Sequence, residues 1–354
     1  MTKIKIAEKV VGEDSSCFTI AEAGANHEGD IKKAFQLIDA ASKAGVDAIK
    51  FQTYSASKLT TKTAPKYWDD GVEGETQYDV FNKLDSLTTE EWKKIFEYAK
   101  QKKIICFSTP FDEGSVELLD LLDVPAFKIA SADITHIPLI KKIASKKKPI
   151  FISTGMASME EVHQAISTIE NEDNKDIIIM HCITSYPTMP EEANLEMIRT
   201  LKKEFPNYII GYSDHTLGTD IAAFSIFYGS KCIEKHFTHD KTLSTSRDHR
   251  LSLDSDDFIE LINKIKMAEI SKGISRREDF DSEKEAVKFA RRSIVSQIKI
   301  PKGTKISAEM LDVKRPGTGI QPKHFDEILG KIVVQDIEKD VPITWEDLEN
   351  NEKQ

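Results

Sequence analysis

Ile209-Ile210-Gly211-Tyr212-Ser213-Asp214-His215 is an apolar run that ends in groups able to do chemistry. A helix-like segment follows, and the form repeats in Cys232-Ile233-Glu234-Lys235-His236. Toward the N-terminus the same form recurs at 177–182, 150–154, 126–131, 104–109, 48–52 and 18–22. Short apolar runs alternating with helix-like sequence predict parallel strands joined by crossover helices. Eight repeats favour closure into an α/β (β/α)8 TIM barrel over an open doubly wound sheet. No Gly-x-Gly-x-x-Gly follows the first run, which lowers the dinucleotide-binding alternative. In a closed parallel barrel all C-terminal strand ends meet on one face, and that face carries the active site. The pattern therefore predicts an enzyme.

Helix signals fall between the runs. Asp30 is placed to cap a helix through Ile31, Phe35, Ile38 and Ala41, with Gly45 at its end. Thr88 with Glu91, and Ser158 with Glu161, fit the capping box. Further helices are marked by Ile140, Ile143 and Ala144, by Met197, Ile198 and Leu201, and by 257–272, which closes the barrel. The connection 53–87 is unusually long and contains Ala64-Pro65-Lys66-Tyr67-Trp68. Long loops in compact domains are commonly functional; a substrate cover and an oligomer contact both fit.

The chain has 354 residues, room for a barrel over 1–272 and more. Residues 273–285 read as a charged linker (Ser275-Arg276-Arg277-Glu278-Asp279). Residues 286–349 then change texture. Short strands at 293–295, 305–306, 331–334 and 341–343 are divided by the turn signals Pro301-Lys302-Gly303 and Pro316-Gly317-Thr318-Gly319. So small a β-rich domain is near the lower limit of independent stability, and is expected to dock on the barrel or a partner subunit. Residues 350–354 are expected to fray.

With Lys+Arg 49 against Asp+Glu 59, the net charge of −10 disfavours nucleic-acid partners, which need a basic footprint. It leaves anionic small substrates open, because a local lysine cluster overrides the net field. No apolar run approaches the roughly 20 residues of a membrane span, and the N-terminus lacks a signal-peptide core. No membrane association and a cytoplasmic location are expected. Cys17, Cys106, Cys182 and Cys232 lie in or beside predicted strands, and read as buried free thiols.

His215 and His236 end consecutive strands, within reach of one metal ion. Two imidazoles would leave coordination positions open for substrate, as a Lewis acid requires; two partly buried histidines bonded to loops is the bland alternative. Asp214, Asp248 and His249 lie on the same side. Lys50 and Lys128 end the second and fourth strands. With Thr109, Ser131, Ser153 and Ser213 they read as a phosphate or carboxylate cage rather than a Schiff-base site. Glu22 and Asp133 are the acid–base candidates, though Asp133 also fits a cap for a helix beginning near Thr135.

The strings Ala21-Glu22-Ala23-Gly24-Ala25-Asn26-His27-Glu28-Gly29, Lys50-Phe51-Gln52-Thr53, Ser108-Thr109-Pro110-Phe111-Asp112, Lys128-Ile129-Ala130-Ser131, Ser153-Thr154-Gly155-Met156, Gly211-Tyr212-Ser213-Asp214-His215-Thr216 and Ile233-Glu234-Lys235-His236-Phe237-Thr238 together resemble the sialic acid synthase family. Lys314-Arg315-Pro316-Gly317-Thr318-Gly319-Ile320 is similar to that family's antifreeze-like (SAF) domain. The resemblance spans nearly the whole chain in order. It implies condensation of phosphoenolpyruvate with an N-acylated hexosamine to a nine-carbon 2-keto-3-deoxy acid. It also implies a divalent ion, Mn2+ or Mg2+, and a domain-swapped homodimer.

By residue, the resemblance assigns phosphoenolpyruvate to Lys50, Thr109, Lys128, Ser131, Ser153 and Ser213, and the metal to His215 and His236. Glu22, Lys50, Lys128 and Asp133 would be catalytic, with Asn26 in support. Gln52, Thr184, Tyr186 and Asp248 would face the sugar, and Phe289 and Arg315 would reach its acyl group from the partner subunit. Three departures lie on the sugar side. Asp133 stands where many members have glutamate, Thr184 where several have asparagine, and Leu243-Ser244-Thr245-Ser246-Arg247-Asp248 lacks the usual Gly-Pro. They suggest a sugar other than ordinary N-acetylmannosamine, though sequence drift explains them as well, and N-acetylmannosamine-type and 2,4-diacetamido-trideoxyhexose acceptors both stay open. A Schiff-base pyruvate aldolase using Lys128, and a non-catalytic carbohydrate-binding barrel, are the competing readings.

Overall fold

The structure is a computed structural model that describes residues 2–68, 74–243 and 247–349. Ser244, Thr245 and Ser246, residues 69–73 of the long connection, and the tail 350–354 lie outside the described residues. The chain forms two compact units, Met1–Gly273 and Ile274–Gln354.

In the first unit the eight runs are the strands of a closed parallel barrel: Phe18–Gly24, Ala48–Thr53, Ile105–Pro110, Phe127–Ile129, Ile150–Ser153, Ile177–Cys182, Ile209–Asp214 and Cys232–His236. This is the expected TIM barrel. Strand side chains alternate between the lumen and the helix layer, and in such barrels alternate strands supply each interior layer. Phe18, Phe107 and Phe151, from the first, third and fifth strands, stack across the lumen with ring centroids 6.1 and 5.2 Å apart. Gly211 leaves space in the seventh strand, where a Cβ would meet Met180 Sδ at 2.4 Å. Above this apolar floor the even strands contribute Lys50, Lys128 and Glu234, and the odd strands Glu22, Thr109, Ser153 and Ser213. The register that packs the floor thus gathers the polar groups overhead.

An N-terminal hairpin, Lys3–Ile6 with Lys9–Gly12, was not evident from the sequence pattern. It buries Ile4, Ile6 and Val11. Thr2 Oγ1 donates to Asn207 O at 2.7 Å, and Lys9 pairs with Asp47 at 2.9 Å. Both partners precede barrel strands, so the hairpin sits at the end opposite the site.

Helix Ile31–Ala44 starts at the Asp30 cap and stops at Gly45, whose φ of 77° favours glycine. The capping boxes at Thr88/Glu91 and Ser158/Glu161 are both formed. The connection 53–87 is not one structureless loop: it holds the short helices Ala56–Leu59 and Gln77–Leu84. No described helix is long and apolar enough to cross a membrane.

The second unit pairs Ser293–Ser296 antiparallel with Leu311–Lys314 over a core that includes Ile294, Ile300, Ile306 and Ile343. The strands expected at 305–306, 331–334 and 341–343 are instead single bridges, such as Lys305↔Ile332 and Val295↔Pro342. Pro342 lacks the N–H that a continued ladder requires, and one-residue contacts separated by turns do not propagate.

Candidate active site

The mouth of the barrel is built around four buried charges. Lys50 Nζ pairs with Glu22 Oε2, lies 3.6 Å from Glu234 Oε2, and donates to Thr109 Oγ1 at 3.1 Å. Lys128 Nζ binds Glu234 Oε1 at 2.7 Å, and Ser213 Oγ donates to the same oxygen at 2.9 Å. Gln52 Nε2 holds Glu22 Oε1 at 3.0 Å. Two carboxylates, which the sequence reading of the cage did not include, thus interleave with the two ammonium groups.

Glu234 is the residue that sequence reasoning missed. It precedes His236 by two positions and so shares its lumen-facing side, which was a usable signal. Burial raises its carboxyl, but Lys128 and Lys50 outweigh this and hold it below the ordinary range. Glu22 moves the other way. Burial raises it, Lys50 offsets only part, and Glu234 adds to the rise. Burial also lowers Lys128, but Glu234 more than compensates and its ammonium is stabilised.

The seventh and eighth strands bring His215 and His236 together, with ring centroids 5.3 Å apart. Tyr186 stands over them at 4.2 and 5.9 Å. His215 Nδ1 lies 2.7 Å from Ile183 O. A carbonyl only accepts, so Nδ1 carries the proton and Nε2 is left as the lone-pair nitrogen in the neutral ring. Burial lowers His215, but Cys182, whose Sγ is 3.9 Å from Nδ1, and the Ile183 carbonyl bring it above its usual value. Burial pushes His236 down to about 3, so it is neutral. Its Nδ1 is buried with no hydrogen-bond partner, and Asp248 Oδ2 approaches to 4.0 Å. Among the described residues no group of three or more His, Cys, Asp or Glu is arranged to hold a metal.

The fourth, fifth and sixth strand ends meet at Gly155. Its N–H donates to Ser131 Oγ at 3.0 Å, and a Cβ there would stand 2.3 Å from Thr184 Oγ1. Ser153 Oγ, Thr184 Oγ1 and Asp133 Oδ2 are buried with no partner. Asp133 sits in the 3-10 turn Ser131–Asp133 and is not a helix cap. The following helix, Ile137–Ala144, is capped by His136, whose Nδ1 accepts from Leu139 N–H at 3.3 Å. Burial lifts the Asp133 carboxyl to about 6, against a smaller opposing pull from His136. Asn26 ties the first strand's exit to the eighth, with Nδ2 donating to Phe237 O at 2.9 Å. Phe289 and Arg315 lie in the second unit, both exposed on it.

Residues 37–277 match the NeuB family and residues 291–349 match the SAF domain. An uncharacterised protein of Methanocaldococcus jannaschii is 42% identical, with 98% of this chain and 99% of that protein covered. The N,N'-diacetyllegionaminic acid synthase of Legionella pneumophila is 38% identical, with 96% of each covered. Among solved structures, the N-acetylneuraminic acid (sialic acid) synthetase of Leptospira borgpetersenii in complex with citrate aligns with a TM-score of 0.72 at 31% identity. That alignment covers 81% of this chain and 95% of the other.

Proposed function

The chain belongs to the NeuB family, and from that premise we propose that it condenses phosphoenolpyruvate with an N-acylated hexosamine in a reaction that needs a divalent ion. The products are a nine-carbon 2-keto-3-deoxy acid and phosphate. The observation that carries the reading is the buried quartet of Lys50, Glu22, Glu234 and Lys128 at the barrel mouth. Buried ionic groups are costly unless each is paired, and four of them at the face that carries barrel active sites mark a place built for charged chemistry.

Phosphoenolpyruvate binds between Lys50 and Lys128, with Thr109, Ser131, Ser153 and Ser213 taking its oxygens. The ammonium groups retain N–H bonds beyond those given to Glu22 and Glu234, since each carries three donors. The carboxylates fix where the ammoniums point, so stabilisation of developing charge needs no reorganisation. The methylene carbon of phosphoenolpyruvate forms the new bond to the open-chain sugar's aldehyde carbon, whose oxygen gains a proton. Water adds to the carbon that still bears the phosphate, losing one proton, and the adduct expels phosphate as its new hydroxyl gives up the second; one of these protons balances that gained by the aldehyde oxygen, and the ketone is left. Asp133, ionised above its raised value, accepts the proton of the water. Glu22, held by Gln52 and Lys50, positions the sugar.

A divalent ion, Mn2+ or Mg2+, fits His215 and His236. Both rings face one space, and His236 is neutral with its Nδ1 unpartnered. The quartet carries no net charge when fully ionised, so it leaves the charge of an anionic substrate to be offset by another cation. When bound, the ion supplies Lewis-acid polarisation of a carbonyl oxygen.

The sugar lies against Gln52, Thr184, Tyr186 and Asp248. Phe289 and Arg315 of a second copy cover its acyl group in a homodimer. The departures at Asp133 and Thr184 favour a 2,4-diacetamido-trideoxyhexose over N-acetylmannosamine. The Schiff-base alternative is disfavoured because Lys128 is stabilised as an ammonium, whereas an imine-forming lysine needs a lowered value.

Phosphate release, measured over a panel of 2-acylamino hexoses, tests the reading. It is expected only with phosphoenolpyruvate, sugar and divalent ion together. Release with no sugar of the panel, or borohydride trapping of pyruvate on Lys128, would overturn it.

A further inference from the structure

The helix-facing sides of the seventh and eighth strands hold a second buried ionic pair. Asp214 and Lys235 are register partners, one residue before His215 and one before His236. Lys235 is 1% exposed, and its Nζ lies 2.6 Å from Asp214 Oδ2. Asp214 Oδ1 accepts the Thr216 N–H at 2.8 Å and the Tyr212 hydroxyl at 3.0 Å, while Oδ2 also accepts Thr216 Oγ1 at 3.0 Å. Lys235 Nζ donates in addition to Thr216 O at 2.5 Å. Both residues flanking His215 are therefore tied to the residue preceding His236. On the lumen side, His215 Nδ1 is fixed to Ile183 O at 2.7 Å.

We infer that the Asp214–Lys235 pair is a clamp that positions His215 against His236, so that two imidazoles alone suffice to hold a divalent ion. Stability does not account for this pair by itself. Replacing a buried ion pair with apolar side chains is often neutral or stabilising. The pair instead supplies directional bonds at the one turn whose shape sets the spacing between the rings. The outer partner of the His215 ring itself is the Ile183 carbonyl; the pair acts one step further out, through the backbone on either side of His215, and two ligands leave little redundancy if one ring drifts. Asp214 and Lys235 touch no reacting group, so they are positioning residues.

The inference rests on the two-histidine metal reading, and the test separates the two. Mn2+ binding to metal-free protein is measured by calorimetry, with phosphoenolpyruvate binding and melting temperature recorded on the same samples. His215→Ala is expected to abolish Mn2+ binding. Lys235→Met is expected to weaken it by about 10- to 100-fold, with phosphoenolpyruvate affinity unchanged. Thr216→Val, which removes one bond and keeps the ion pair, shifts Mn2+ affinity in the same direction by less, and decides the matter if Lys235→Met does not fold. Mn2+ binding that survives His215→Ala overturns the metal site itself. Binding lost in His215→Ala but unchanged in the folded clamp variants, with only the melting temperature lowered, overturns the clamp alone.

Discussion

Two halves of the barrel mouth are finished to different degrees. On the side of the first, second, fourth and eighth strands, Lys50, Lys128, Glu22 and Glu234 lie within one another's reach and are backed by Gln52, Thr109 and Ser213. Across the mouth, at the ends of the fourth to sixth strands, Asp133 Oδ2, Ser153 Oγ and Thr184 Oγ1 are buried and have no partner. An unpaired polar atom in a closed interior costs about 1–3 kcal/mol, so a site retains such atoms where a ligand completes them. The first half is preorganised electrostatics; the second is a set of open valences. In the proposed reaction the first half would stabilise charge, while the second would supply the Asp133 base and the Ser153 contact to phosphoenolpyruvate, and Thr184 would face the sugar.

The largest effect should come from the closed half. Glu234→Ala leaves two buried ammonium groups facing each other with one carboxylate. Removing one partner of a buried pair costs about 3–5 kcal/mol. A loss of that order in chemical denaturation is expected, together with loss of phosphate release. A variant that kept wild-type stability would show that the quartet is not mutually compensated, and would dissolve the contrast between the halves.

Asp133→Asn acts in the open half and should not lower stability. A carboxyl raised to about 6 by burial is penalised for ionising in the fold. Its unfavourable contribution enters as pH rises from the unfolded value through 6, and is absent at lower pH. The asparagine variant is therefore no less stable at pH 8, whereas loss of a helix cap would cost about 1 kcal/mol. Activity behaves differently. With the carboxylate as the base, kcat/KM of the unaltered enzyme falls as pH drops through about 6. Asp133→Asn lowers the plateau by roughly 10² or more and removes that limb. A limb that persists in the variant assigns it to another group.

The same contrast explains what could be read from the chain. Closure of the barrel was legible because each strand carries its own apolar run and each crossover its own cap, as at Asp30 and Ser158. Lys50 and Lys128 stood out as lysines at strand ends, and both do lie buried at the barrel mouth beside Glu234. Glu234 was not, since a carboxylate next to Lys235 reads as half of a local pair. Only the lumen–outside alternation shows that Glu234 belongs with Lys128 and Lys50, while Lys235 belongs with Asp214. Asp133 was ambiguous for a different reason. Capping depends on backbone geometry at the helix start, and there His136 takes the place that composition would give to aspartate.

The smallest effect should fall on Thr184. Its hydroxyl makes no bond in the protein, so Thr184→Val exchanges an unpaired oxygen for a methyl group of similar size. Gly155 leaves it room, and stability should stay level or rise slightly. The cost appears only when a sugar is bound. A substituent that hydrogen-bonds the hydroxyl would lose roughly 1 kcal/mol, a several-fold rise in the sugar KM with the KM for phosphoenolpyruvate unchanged. The comparison sharpens if that rise depends on the sugar. A 2,4-diacetamido-trideoxyhexose and N-acetylmannosamine differ in the groups they present, so a position that discriminates moves one KM and spares the other. Equal shifts for both would make Thr184 a general contact and return the choice of sugar to Asp133 and the residues after the eighth strand.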